Sequence, residues 1–313
     1  MMSRIKLFSE FEGLESVQGQ SSLFISALGY EKRCVHIAKK FEGEFKYKIA
    51  LDFGDYSSKN YMENRDYYTS NGFDILTGFD SSKVVINELD LGVDENVDVV
   101  ILDISSMSRV MIANVLLLID ECEYLENFEL FLLYSPSKYS PPPAEDLYLR
   151  YANPVRDEFA GWSSNIGAPL TAVIGLGYER DLAVSVLERL EADRAIAMLP
   201  KGGDVSFYTK LVEVNSVFLN QLSDTNRYVY DINRPSLLYS RLTSLLSSLS
   251  SDGRVVVVPM GPKIFAGVAL LIQTFSPFPE TSVWRFSSGQ SIHEREAVPT
   301  GDVIGCRVLI SSS

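Results

Sequence analysis

The sequence is poor in the residues that build metal and redox centres. Its three cysteines, Cys34, Cys122 and Cys306, lie far apart and form no CxxC pair, so neither a disulfide framework nor a zinc site is implied. Two histidines, His36 and His293, exclude HExxH and paired-histidine metal sites. Cations are scarce as well: 28 Lys+Arg against 41 Asp+Glu give a formal charge of −13. A general DNA or RNA coat needs a surplus of cations; a local basic pocket in an acidic body remains open. Long apolar runs are missing too. The longest, Val110–Ile119 and Ile264–Phe275, fall short of the roughly 20 residues that span a bilayer. Arg4 and Lys6 are not followed by a signal-peptide apolar stretch. The expectation is a cytoplasmic protein with no membrane, metal or cofactor.

What is present is an ordinary globular composition, 46% hydrophobic and 22% charged over 313 residues. At about 150 residues per domain this suggests two domains. An internal repeat supports the division. LFISALGYEKRC at 23–34 matches TAVIGLGYERDL at 171–182, and VVILDISSMSRVMIANVLLL at 99–118 matches GRVVVVPMGPKIFAGVALLI at 253–272. In the second pair Arg109 falls on Lys263, Ser105–Ser108 on Pro259–Pro262, and Asp103 on Val257.

Within each copy, strand and helix patterns alternate. The first predicts strands at Leu23–Ala27, Tyr47–Phe53, Phe73–Leu76, Val97–Ile104 and Phe128–Tyr134. Its helices fall at Glu31–Phe41, Ser58–Ser70, Ser82–Leu89 and Ser108–Glu121. The second predicts strands at Thr171–Ile174, Ala195–Leu199, Arg227–Asp231, Arg254–Val258 and Ser282–Phe286. Its helices are Glu179–Leu190, Val205–Leu222, Ser236–Leu249 and Pro262–Phe275. Runs such as Val255–Val258, apolar on both faces, suit parallel strands covered by helices. The fold class is therefore α/β, with two tandem Rossmann-like parallel sheets related by duplication and a pseudo-twofold. The division is residues 1–138, an inter-domain segment at 139–168 beginning with the Pro141–Pro143 run, and residues 169–313 with a C-terminal extension. The aromatic segment with Tyr148, Tyr151, Phe159 and Trp162 is expected to pack across the halves. Val303–Ile310 is strand-like but lies outside the repeat.

In a doubly wound sheet the ligand sits beyond the strand C-termini, where strand order reverses. With a 3-2-1-4-5 order, that crevice lies between strands one and four, where the copies resemble each other. At the first-strand ends, Gly29-Tyr30-Glu31-Lys32 matches Gly177-Tyr178-Glu179-Arg180. The glycines allow close backbone approach, and the tyrosines suit base stacking or plain packing. The glutamates suit the first-turn dipole or a ribose. At the fourth-strand ends, Ser105, Ser106, Ser108 and Arg109 match a loop with Gly261 and Lys263. A cation in a first turn opposes the helix dipole unless an anion is bound there; solvation or pairing with a carboxylate is the plain alternative. Asp103 is the candidate catalytic carboxylate. His36 has no partner at metal spacing, and His293 with Glu294 and Glu296 is a weaker acid–base candidate resting on sequence proximity alone.

The small-residue-plus-cation motif after the fourth strand resembles that of CARF domains, and a fused pair of copies is similar to the SAVED arrangement. Met260-Gly261-Pro262-Lys263-Ile264 has Pro262 where that motif carries a hydroxyl, and Ser106-Met107-Ser108-Arg109-Val110 keeps hydroxyls but lacks the glycine. The resemblance implies a bacterial antiviral sensor of cyclic oligonucleotides that holds ligand phosphates at a pseudo-twofold axis and acts through a partner protein. The alternatives are an enzyme acting on a nucleotide or phosphosugar in an inter-domain cleft, hydrolase or ring-nuclease-like, and a pure protein-interaction module.

Overall fold

The structure, a computed structural model, describes residues 3–13, 21–41, 43, 45–54, 58–140, 151–161, 163–178, 182–287 and 297–312. In chain order its elements are β1 (Ile5–Glu10), β2 (Ser22–Leu28), α1 (His36–Lys40), β3 (Tyr47–Asp52), α2 (Lys59–Ser70), β4 (Asp74–Leu76), β5 (Val99–Asp103), α3 (Arg109–Glu121) and β6 (Phe128–Tyr134). There follow β7 (Tyr151–Pro154), β8 (Leu170–Gly175), α4 (Leu182–Leu190), β9 (Arg194–Lys201), α5 (Val205–Val214), α6 (Ser216–Asn220) and β10 (Arg227–Asp231). The last are α7 (Pro235–Asp252), β11 (Arg254–Pro259), α8 (Lys263–Phe275), β12 (Thr281–Ser287) and β13 (Ile304–Ile310). Two compact units result: Met1–Lys138 with Thr274–Ser276 and Ile292–Ser313, and Tyr139–Gln273 with Pro277–Ser291.

Both units are α/β, with the same order among their parallel strands. The first runs β4-β3-β2-β5-β6, the second β10-β9-β8-β11-β12. This is the expected 3-2-1-4-5 arrangement, reversing between β2 and β5 and between β8 and β11. The central strands β2, β5 and β8 are buried along their whole length, as helices on both faces of a parallel sheet require. Capping residues start the helices where the sequence puts them. The Ser58 hydroxyl accepts from the Tyr61 amide at 3.1 Å and Ser108 from Met111 at 3.0 Å, and Pro235 opens α7. Leu238, Leu242 and Leu246 form the buried stripe of that helix.

The structure departs from the sequence reading in five places. The helix expected from Glu31 is a 3-10 turn, Lys32–Val35, followed by the short α1. Glu31 is extended, and the Arg33 amide bonds the Ala297 carbonyl at 3.0 Å. The helix expected at Ser82–Leu89 shrinks to a turn at Ile86–Glu88. There the Asn114 amide takes the Phe79 and Ser81 carbonyls at 2.6 and 3.1 Å, holding the chain before it as a loop. Val205–Leu222 breaks into α5 and α6 at Asn215. The described part of the segment expected to bridge the halves instead belongs to the second unit: β7 pairs antiparallel with β12, and Phe159 is buried. Pro141–Pro143, Tyr148 and Trp162 lie outside the described residues. Finally, the extension assigned to the second domain returns to the first. There β13 pairs antiparallel with β6 on one side and β1 on the other.

Candidate functional site

In the first unit, loops leaving β2, β5 and β6 meet at the strand C-termini through polar side chains. Glu31 receives Arg33 Nε at 2.9 Å and Nη2 at 3.2 Å, and the Ser106 hydroxyl at 2.8 Å. Arg33 is buried, and its Nη1 reaches the Tyr134 hydroxyl and the Ser135 carbonyl, both at 3.3 Å. Burial works against its charge, but Tyr134 and Glu31 outweigh it and its pKa is raised. The Ser135 amide donates to Ser105 Oγ at 2.8 Å, and Ser135 Oγ bonds His36 Nδ1 at 2.8 Å. Burial, then Lys40, lowers the His36 pKa.

Beneath this layer lies Asp103, 1% exposed. Its carboxylate accepts the Ser105 amide at 2.9 Å and the Ser26 hydroxyl at 3.3 Å. Burial pushes its pKa up to about 6 against the bonds from Ser105 and Ser26. Ser26 Oγ is 2.8 Å from the Tyr68 hydroxyl, which donates to the Cys34 carbonyl at 2.7 Å. The Cys34 thiol donates to the Ala27 carbonyl at 2.7 Å, and burial pushes its pKa up to about 12. Such a thiol is protonated and enclosed, not a nucleophile.

The remaining first-unit candidates have defined places. Gly29 ends the first strand, buried, with its carbonyl accepting from the Asn64 amide at 2.8 Å. Tyr30 packs on the core as a partly buried ring, and Lys32 is exposed. Ser108 caps α3 and also bonds Asp80. Arg109 is the first residue of α3 and half-buried.

Among the described residues of the second unit, backbone hydrogen bonds tie the same end together. The Met260 and Gly261 amides both donate to the Gly175 carbonyl at 2.9 Å. A Cβ on Gly261 would lie 2.3 Å from the Leu176 carbonyl oxygen, so glycine is required there for loop-on-loop contact. The Gly177 carbonyl accepts from the Asn215 amide at 2.9 Å, as Gly29 does from Asn64. Tyr178 stacks on Phe207, centroids 5.7 Å apart and planes at 16°. Lys263 is the first residue of α8, half-buried. Glu179, Arg180, His293, Glu294 and Glu296 lie outside the described residues.

Strand register refines the repeat alignment. Ser22 pairs with Val99 in one unit and Leu170 with Arg254 in the other. Asp103 therefore corresponds to buried Val258, not Val257. Since Arg109 and Lys263 both open helices, the fourth-strand loop is one residue longer in the first unit. Sequence reasoning missed Asn64 and Asn215, which hold the two glycine carbonyls; their signal is an asparagine in the helical segment after strand two of each copy, inside α2 in the first and at the α5–α6 break in the second.

A cavity of about 430 Å³ lies in the second unit at the opposite ends of the strands. Arg189, Arg254, Glu280 and Trp284 help line it, and none of the sequence candidates does. Among the described residues no group of His, Cys, Asp and Glu could hold a metal ion, and no helix is long and apolar enough to cross a membrane.

No protein-family model and no curated protein matches the chain. Among solved structures it is similar to PA1789 from Pseudomonas aeruginosa PAO1, titled a functionally unknown protein. The match has 10% identity over 86% of this chain and 93% of that one, with a TM-score of 0.25.

Proposed function

We propose that the chain is a non-catalytic binding protein for a phosphate-bearing small molecule such as a nucleotide, acting through a partner protein. One observation carries this reading. Two units of equal strand order each set a basic residue, Arg109 or Lys263, at the first position of the helix after strand four. Each stands beside the loop of strand one, at the point where such sheets bind ligands. Backbone amides at a helix start and a nearby cation together favour an anion. The antiviral setting and a cyclic oligonucleotide ligand rest on the CARF resemblance alone.

A binding role is favoured over catalysis because the best carboxylate, Asp103, is enclosed and bonded to Ser105 and Ser26. The test is calorimetric titration of the full chain with ATP, AMP and cyclic oligonucleotides. Arg109→Ala and Lys263→Ala should each weaken binding by about 1.5–3 kcal/mol, the worth of a charge-assisted contact. Affinity unchanged in the double variant, or no ligand bound at all, removes the proposal.

A further inference from the structure

Resting on that reading, we propose that Arg33 holds the ligand's phosphate in the first unit and that Glu31 occupies its place until displaced. Three hydrogen-bond donors from two loops converge on the Glu31 carboxylate: Arg33 Nε and Nη2, and the Ser106 hydroxyl. A guanidinium fork with an added hydroxyl is the pattern by which proteins hold oxyanions. Here the chain's own carboxylate fills it.

The burial gradient gives the exchange a direction. The Arg33 side chain is 8% exposed and that of Glu31 19%, so the carboxylate lies on the solvent side and swings away without opening the core. Arg33 stays fixed when it leaves. Its Nη1 is tied to the Tyr134 hydroxyl and the Ser135 carbonyl, and its guanidinium lies 5.6 Å from the Tyr134 ring centre. Ser106 is on the loop that carries Arg109, so one phosphate drawing on both would couple the first-strand turn to the start of α3. The second copy has Asp181 where the repeat aligns Arg33, and Met260 and Gly261, neither with a hydroxyl, at the place of Ser106. The second unit forks a buried arginine elsewhere, Arg156 on Glu158, so at this turn the arginine–hydroxyl pair is particular to the first unit. Exchange also requires that the ligand out-compete a resident charge, which weakens its apparent affinity by the fraction of time the site stands open.

The experiment is calorimetric titration of the full chain with inorganic phosphate and, separately, AMP. Glu31→Gln removes the competing charge and keeps the side-chain shape; it should tighten binding of the accepted probe roughly tenfold. Ser106→Ala removes one donor with little risk to folding and should weaken it roughly fivefold. Tightening with AMP but not with inorganic phosphate identifies a phosphate ester; tightening with both identifies the oxyanion alone. If Glu31→Gln leaves affinity unchanged or weaker while Arg109→Ala still weakens it, the Arg33 site is overturned and the wider reading stands. If Glu31→Gln fails to fold, an unchanged affinity in Ser106→Ala overturns the site by itself. If neither wild type nor Glu31→Gln binds phosphate or AMP, the Arg33 site falls; the wider reading falls with it only when ATP and cyclic oligonucleotides also fail to bind.

Discussion

The two units share a strand order and close the same end of their sheets by different means. The first uses polar and charged side chains: Glu31 with Arg33 and Ser106, the Ser105 hydroxyl with the Ser135 amide, and Asp103 underneath. Among its described residues the second uses its backbone, with the Met260 and Gly261 amides on the Gly175 carbonyl and Val258 in the place of Asp103. The lesson is that a βα order specifies where loops meet, not how they are held. A side-chain closure responds to charge, pH and competing anions, whereas a backbone closure responds only to shape.

The contrast is sharpest at glycine. Gly261→Ala puts a methyl group 2.3 Å from a backbone oxygen that no rotamer change can move. It should cost about 3 kcal/mol, read as a lowered unfolding midpoint. Gly29→Ala meets only the Phe53 ring, at 3.4 Å, and should shift stability by about 0.5 kcal/mol or less. Equal losses at both would break the distinction.

A pH series tests the ionic side. Burial lifts the pKa of Asp103 from the ordinary 3.8 to about 6 in the folded unit, so between about pH 4 and 6 the folded form binds the extra proton. Stability then falls as pH rises through that window, by about 2–3 kcal/mol for this group, and levels off above it. Asp103→Asn should remove this slope when thermal unfolding is followed from pH 4.5 to 7. A slope that survives the substitution assigns the effect elsewhere. A more modest loss probes what the units share. Asn64→Ala and Asn215→Ala should each cost about 1–2 kcal/mol, the price of leaving a buried carbonyl short of its partner; clearly unequal losses would show that the two clamps are not equivalent.

Much of the architecture is legible from alternation alone. The sequence pattern places Phe128–Tyr134 and Arg227–Asp231 to the residue, and the 3-2-1-4-5 order assumed for locating the crevice is the one observed. What escaped was set by distant partners. The pattern of Val303–Ile310 announces a strand, yet nothing local says that it pairs with β6, about 180 residues away in Arg307 to Glu129. At the site, reading Glu31–Phe41 as a helix concealed the Glu31–Arg33 pair, because residues two apart diverge on a helix. The 3-10 turn and the extended Glu31 bring them together. Asn64 lies 35 residues beyond Gly29 and Asn215 38 beyond Gly177. Unequal spacing hides the correspondence until the hydrogen bonds reveal it.

The return of β13 to the first sheet has a consequence for biogenesis. Until residues 304–310 leave the ribosome, β6 has no neighbour on its outer side, and its Leu130, Leu132 and Phe128 stand at a raw edge that invites pairing with other chains. The second unit, encoded in between, has every strand of its own sheet before that moment. Vectorial synthesis therefore completes the later unit first, and the nascent protein is most exposed to misassembly while its earliest strands wait for one of its last.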